Sequence, residues 1–165
     1  MEQIQQTTKE YFKLLSIIHL ALIVGLVLFG LVVSFFIADF QHPDYTSELA
    51  RIVVYLVPGL CIVGMIAGNI ISKSKFKLLK EESDINIKLT GYREALIIRN
   101  ALLEGPGLFA LVTIFITNDM NYLIYAGVMV LLMLAKKPTM RSLIAELELD
   151  QQEVAMLENP DSIIK

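Results

Sequence analysis

The chain is poor in the residues that build chemical sites. Of its 165 residues, one is cysteine and two are histidine. Cys61 lies inside an apolar run and excludes an intramolecular disulfide, which leaves packing as its role. His19 and His42 stand apart, with no metal-ligand spacing around either. There is no G-x-S-x-G, no phosphate-cradling glycine loop and no pair of carboxylates on a polar surface. The chain is therefore read as non-enzymatic, with no catalytic residue, metal or cofactor implied. Charge is sparse as well, with a net of −3. The basic residues flank apolar blocks and form no basic face with interleaved aromatics, so nucleic acid is not an implied partner.

Apolar residues are in excess. They make up 55% of the chain against 19% charged, with a mean hydropathy of +0.62; an ordinary soluble domain has about 45–50%. The excess lies in blocks. Residues 14–38 are interrupted only by Ser16, His19 and Ser34, and residues 52–71 carry no charge. Each is long enough for a helix spanning a hydrocarbon core of about 30 Å. The first block has no long basic region before it and no small-x-small pattern after it, and is read as an uncleaved anchor. A third block at 95–117 contains Arg99 and Glu104. A fourth at 122–135 is short and reaches across only with Lys136 and Lys137 snorkelling or with local thinning of the bilayer; a re-entrant helix is the other reading.

The charges are segregated. The connection after the first block carries Asp39, Asp44 and Glu48 with Pro43 and no Lys or Arg, and the third and fourth blocks meet at Asn118-Asp119, again without a basic residue. Lys73, Lys75, Lys77, Lys80, Lys88 and Arg93 fill the middle segment, and Lys136, Lys137 and Arg141 follow the fourth block. Basic residues in short loops favour the cytoplasmic side, so both termini and the middle segment are expected there, in the cell (inner) membrane. With Phe76, Leu78 and Leu79 among its lysines, the middle segment either extends the second helix or lies along anionic headgroups.

Sliding the chain by 80 residues aligns 13–40 with 93–120, and eleven of the 28 positions are identical, including Gly25 with Gly105, Phe29 with Phe109 and Asp39 with Asp119. The expected fold is an all-α membrane protein: four transmembrane helices as two tandem, parallel-repeat hairpins, with the first helices of the hairpins paired across a pseudo-axis, and a short helical tail. The boundaries are 1–12 for the N-terminal segment, 13–72 and 94–136 for the hairpins, 73–93 for a basic cytoplasmic loop and 137–165 for the tail. Gly64-x-x-x-Gly68 offers a close helix contact, within the bundle or between copies. Thr7 with Glu10 and Asp150 with Glu153 have capping-box spacing, and Leu143, Ile144, Leu147, Val154 and Leu157 give the tail apolar faces. Its acids beyond Arg141 can pack on the basic segment.

The second copy differs from the first where it gains Glu104, opposite Val24, and Pro106, opposite Leu26, which completes Gly105-Pro106-Gly107. A carboxylate within a membrane is costly and takes a partner or a proton. Glu104, Arg99, Asn100 and His19 form a candidate intramembrane polar site, with Gly64, Gly68, Gly105, Pro106 and Gly107 as packing positions. Arg99 and Glu104 are about 140° apart on a regular helix, so a break at Pro106 is needed to bring them together or to turn the carboxyl toward His19. In the structural reading Glu104 locks the hairpins together; in the functional reading it serves a proton or cation path. Residues 101–109, Ala-Leu-Leu-Glu-Gly-Pro-Gly-Leu-Phe, resemble the proteolipid rotor subunits of rotary ATPases, which implies stacked hairpins with a protonatable acid. The chain departs from that family because Glu104 is in the first helix of its hairpin and the Gly-rich helix and Arg-Gln-Pro loop are missing. The layout as a whole is similar to small bacterial four-helix membrane proteins of unassigned activity. The function expected is a non-enzymatic accessory or scaffold subunit of a membrane complex, with lipid, other membrane subunits or a second copy as partners. The alternative is a small proton- or cation-coupled transporter or channel subunit using Glu104.

Overall fold

The computed structural model describes residues 6–37, 48–159 and 163–164. The acidic connection with Asp39, His42, Pro43 and Asp44 lies outside the described residues. Six helices follow one another: α1 Thr8–Ile37, α2 Glu48–Lys80, α3 Ile85–Thr117, α4 Leu123–Ala135, α5 Met140–Leu147 and α6 Gln151–Glu158, with a 3-10 turn at Met120–Tyr122. α1 to α3 are long and apolar enough to cross a membrane, and a fourth span is counted if Met120–Ala135 and Met140–Leu147, bent by 80°, are taken as one.

Local sequence sets the ends of these helices. Thr7 accepts from Glu10 N at 3.3 Å while Glu10 accepts from Thr7 N at 2.9 Å, the expected capping box before α1. Asp84 caps α3 by accepting from Asn86 N, and Asn118 closes it in the left-handed conformation that Asn tolerates, with φ 51°. Thr139 with Ser142 and Asp150 with Glu153 form capping boxes on α5 and α6. The tail is therefore the expected pair of short helices turning at Asp150.

At about 1.5 Å per residue, α1 to α3 measure roughly 45–50 Å, well beyond a hydrocarbon core of about 30 Å. The surplus forms a second core. One buried cluster, with Leu26, Val33, Val57, Leu111, Ile114 and Met133 at its centre, fills a shaft made by α1 to α4. The other joins Tyr11, Phe76, Leu89, Tyr92, Leu143, Leu147 and Leu157 in a head built from the ends of α1, α2 and α3 with α5 and α6. The shaft's outer surface is apolar: Phe35 is 81%, Tyr55 81% and Ile124 65% exposed. So much exposed apolar surface suits hydrocarbon and not water. Hydroxyls on these helices are satisfied internally, Ser72 donating to the Gly68 carbonyl at 2.7 Å and Thr113 to that of Phe109 at 2.9 Å.

Two expectations are corrected. Residues 73–93 are not a loop: they are helical except at 81–84, with α2 running on to Lys80 as one of the two readings of this segment had it, because Phe76, Leu89 and Tyr92 bury themselves in the head. Nor do α1 and α2 pack along each other as a hairpin. The extensive interface is between α2 and α3, while α1 lies against α3 and α4. The α1–α3 contact expected across the pseudo-axis is present.

The α2–α3 contact has a backbone cause. Pro106 has no N–H to give to the Leu102 carbonyl one turn earlier. Gly64 packs against that same carbonyl, so close that a Cβ there would clash with it and lie 2.8 Å from the Pro106 ring. Gly68 sits one turn on, where a Cβ would stand 3.5 Å from the Arg99 carbonyl. Gly107 accommodates Leu26 of α1, 2.8 Å from where its Cβ would be, whereas Gly105 has open space beside it. Gly64, Gly68, Pro106 and Gly107 thus pack within the chain, and Gly105 does not. Gly64→Val should cost about 1–3 kcal/mol by forcing α2 from α3, read as a lowered melting temperature in detergent. Gly59→Ala, where a Cβ meets nothing within 4 Å, should hold or raise it.

Candidate functional site

The polar residues predicted near the start of the third span meet at the boundary between shaft and head. Arg99 and Asn100 are buried on α3, at 5% and 2% exposure, and His19 at 5% faces them from α1. Asn100 Nδ2 lies 3.0 Å from His19 Nδ1. With the amide as donor, the imidazole accepts at Nδ1 and carries its proton on Nε2. His19 Nε2 and Asn100 Oδ1 have no protein partner.

Arg99 does not turn to Glu104. α3 runs unbroken through Pro106, so the two remain on different faces. Arg99 Nη1 donates to Glu146 Oε1 on α5 at 3.3 Å, and Nη2 to the Lys136 carbonyl at the end of α4 at 3.2 Å. A guanidinium removed from water needs such partners, and its fork of donors suits two acceptors on different elements. Beside it Tyr92 and Ser142 share a hydrogen bond of 3.3 Å. Further into the head, Lys88 pairs with Glu153 at 2.6 Å with both side chains largely buried, and Lys80 pairs with Glu148 at the surface, also at 2.6 Å. The acidic tail therefore docks on the basic end of the hairpin, as its charge suggested.

Glu146 was missed. It lies 47 residues from Arg99, and the acidic bias of the tail was the available signal. Glu104 makes no hydrogen bond or ion pair among the described residues and is only partly buried, on a face of α3 whose neighbours Ala101 and Gly105 are exposed. It does not lock the helices of its own chain together. Among the described residues no three His, Cys, Asp or Glu side chains come within reach of one metal ion. The grouping of His19, Asn100 and Arg99 is thus present, and Glu104 stands outside it.

Burial pushes the phenols of Tyr11 and Tyr92 above their ordinary value of 10.0. Tyr11 also donates to the Leu89 carbonyl at 2.6 Å. A raised pKa means that folding favours the neutral phenol, so this stability is complete below about pH 10 and is lost as pH rises further. Melting curves should show the stability falling above that pH, with a shallower fall in Tyr92→Phe. Arg99→Gln should cost about 1–3 kcal/mol, because it strands Glu146, which is 30% exposed and therefore partly screened. Limited proteolysis should then cut the tail faster. The double variant Arg99→Met/Glu146→Leu should recover most of the loss.

Comparison with protein-family models, with curated proteins and with solved structures returns no match.

Proposed function

We propose that the chain is a non-enzymatic, four-span integral membrane protein of the cell (inner) membrane, serving as an accessory or scaffold subunit of a membrane complex. Its head and both termini lie in the cytoplasm, the side favoured by Lys73, Lys75, Lys77 and Lys80 at the end of α2, by Lys88 on α3 and by Lys136 and Lys137. α4 supplies the short fourth span. Duplication is supported by burial as well as identity. Val32 and Val112, Phe35 and Phe115, and Ile17 and Ile97 are all exposed pairs, and Gly25 and Gly105 both have open space beside them. Outside 13–40 and 93–120 the copies have diverged, since α4 packs on α3 in a way that α2 does not on α1.

The observation that carries this reading is Glu104. A carboxylate facing hydrocarbon is costly. No side chain among the described residues pairs with it, and the small residues Ala101 and Gly105 beside it allow a helix of another subunit to approach closely. The donor is then supplied by the partner. The transporter alternative draws on the same carboxyl, but Arg99, Asn100 and His19, which would have shared its path, are engaged with one another and with the tail.

Glu104→Leu should leave the stability of the isolated protein within about 0.5 kcal/mol of the parent, read as a nearly unchanged melting temperature, and release a membrane subunit that co-purifies in mild detergent. A large loss of stability in the isolated protein would show that Glu104 serves its own fold. Loss of proton-driven flux in proteoliposomes by Glu104→Gln, with the co-purifying set unchanged, would establish transport instead.

A further inference from the structure

Where α2, α3 and α4 converge at the boundary between shaft and head, a cavity of about 70 Å³ opens among Asn69, Arg99 and Lys136 on one level and Met65, Leu103 and Leu132 on the next. The two levels are one helical turn apart on all three helices. Asn69 follows Met65 by four residues, Lys136 follows Leu132 by four, and Arg99 precedes Leu103 by four on a helix running the other way. Each step is about 6 Å of rise. In every case the polar residue is on the head side and the apolar residue on the shaft side, which is the profile of an amphiphile.

The polar level favours an anion by its charge, with the Lys136 ammonium and the Asn69 amide as its exposed donors. Arg99 has a side chain only 6% exposed. Its Nη1 and Nη2 are engaged with Glu146 and the Lys136 carbonyl, while Nε is buried without a protein partner. The Glu146 carboxylate, whose Oε2 is likewise unpartnered, offsets one positive charge. Arg99 and Lys136 against Glu146 leave a net charge of +1. The volume, shared by the two levels, is of the order of one phosphate, so the rest of an amphiphile lies outside it, against the exposed sides of Met65, Asn69 and Lys136.

We propose that this cavity seats the phosphate of an anionic membrane phospholipid, with Lys136 and Asn69 as donors, the Arg99 charge behind them, and the acyl chain lying along the exposed side of Met65 and Leu132. A free phosphate ion shares the headgroup chemistry but has no use for the apolar level. The inference rests on the membrane reading and is independent of the scaffold role. It differs from the diffuse attraction of any anionic surface to the lysines at the end of α2.

The test is native mass spectrometry of the full chain in detergent, titrated with phosphatidylglycerol, phosphatidylcholine and inorganic phosphate. The expected result is one tightly held phosphatidylglycerol, weakened about fivefold by Lys136→Gln, the worth of one basic residue against an anionic headgroup, and weakened also by Asn69→Leu. Lys77→Gln, an exposed lysine two turns along α2, should leave it unchanged. Lys136 and Asn69 are exposed, so neither substitution disturbs a core, and unchanged melting temperatures confirm that. Undiminished binding in both Lys136→Gln and Asn69→Leu overturns the proposal. So does an equal loss in Lys77→Gln, which would indicate diffuse attraction, and so does equal affinity for phosphatidylcholine or for inorganic phosphate. Retention in the membrane pellet after an alkaline carbonate wash tests the membrane reading separately, so lost lipid specificity in a protein that pellets overturns this proposal alone.

Discussion

The structure depends on how one buried guanidinium is satisfied. Arg99 sits where the apolar shaft ends and the head begins, at 5% exposure, and a charge so placed must be paired. Its acceptors come from two later parts of the chain, the Lys136 carbonyl at the end of α4 and Glu146 on α5. The tail is consequently part of the fold. Leu143 and Leu147 are fully buried beside Tyr92, and Lys88–Glu153 fastens the next helix in the same way. Together these contacts fix the 80° bend between α4 and α5.

The shaft follows a different logic. In hydrocarbon, apolar surface alone gives helices no reason to associate, so close backbone approach has to come from small residues and polar contacts. Gly64 meets the carbonyl that Pro106 leaves without its helical donor, and Gly107 receives Leu26 from the other side. α3 is held by α2 on one flank and by α1 and α4 on the others. Its remaining face carries Ile97, Ala101, Glu104, Gly105 and Val112 outward. α3 is thus specialised on two sides at once: Pro106 and Gly107 serve internal packing, and Glu104 is turned away from it.

Elements governed by neighbours in sequence were legible. The Thr7/Glu10 and Asp150/Glu153 boxes, the turn at Asn118 and the apolar faces of the tail follow from spacing over one or two turns, and each appears as expected. Elements governed by distant neighbours were not. The pairing of α2 with α3 in place of α1 with α2 leaves no trace in hydropathy, because every span offers lipid-compatible surface on most sides. Arg99 and Glu104, about 140° apart on a regular helix, could meet only through a break at Pro106; α3 is unbroken there, and the partner Arg99 takes instead, Glu146, is 47 residues away. The basic segment at 73–93 looked like a loop because its lysines are conspicuous, although Phe76, Leu89 and Tyr92 among them were the mark of a second core. The His19–Asn100 contact, between positions 81 residues apart, was within reach because the match between 13–40 and 93–120 suggested that α1 and α3 lie side by side.

Shaft and head are therefore expected to behave as one body, joined through Arg99. Native-state hydrogen exchange in detergent measures this most directly. The amides of α5 and α6 around Leu143, Leu147 and Leu157 should be protected to the same degree as those of α3 around Tyr92 and Leu96, and should open together with them. Exchange of the α5 and α6 amides orders of magnitude faster, with α3 still protected, would mean a loosely tethered tail and would contradict the role given to Arg99.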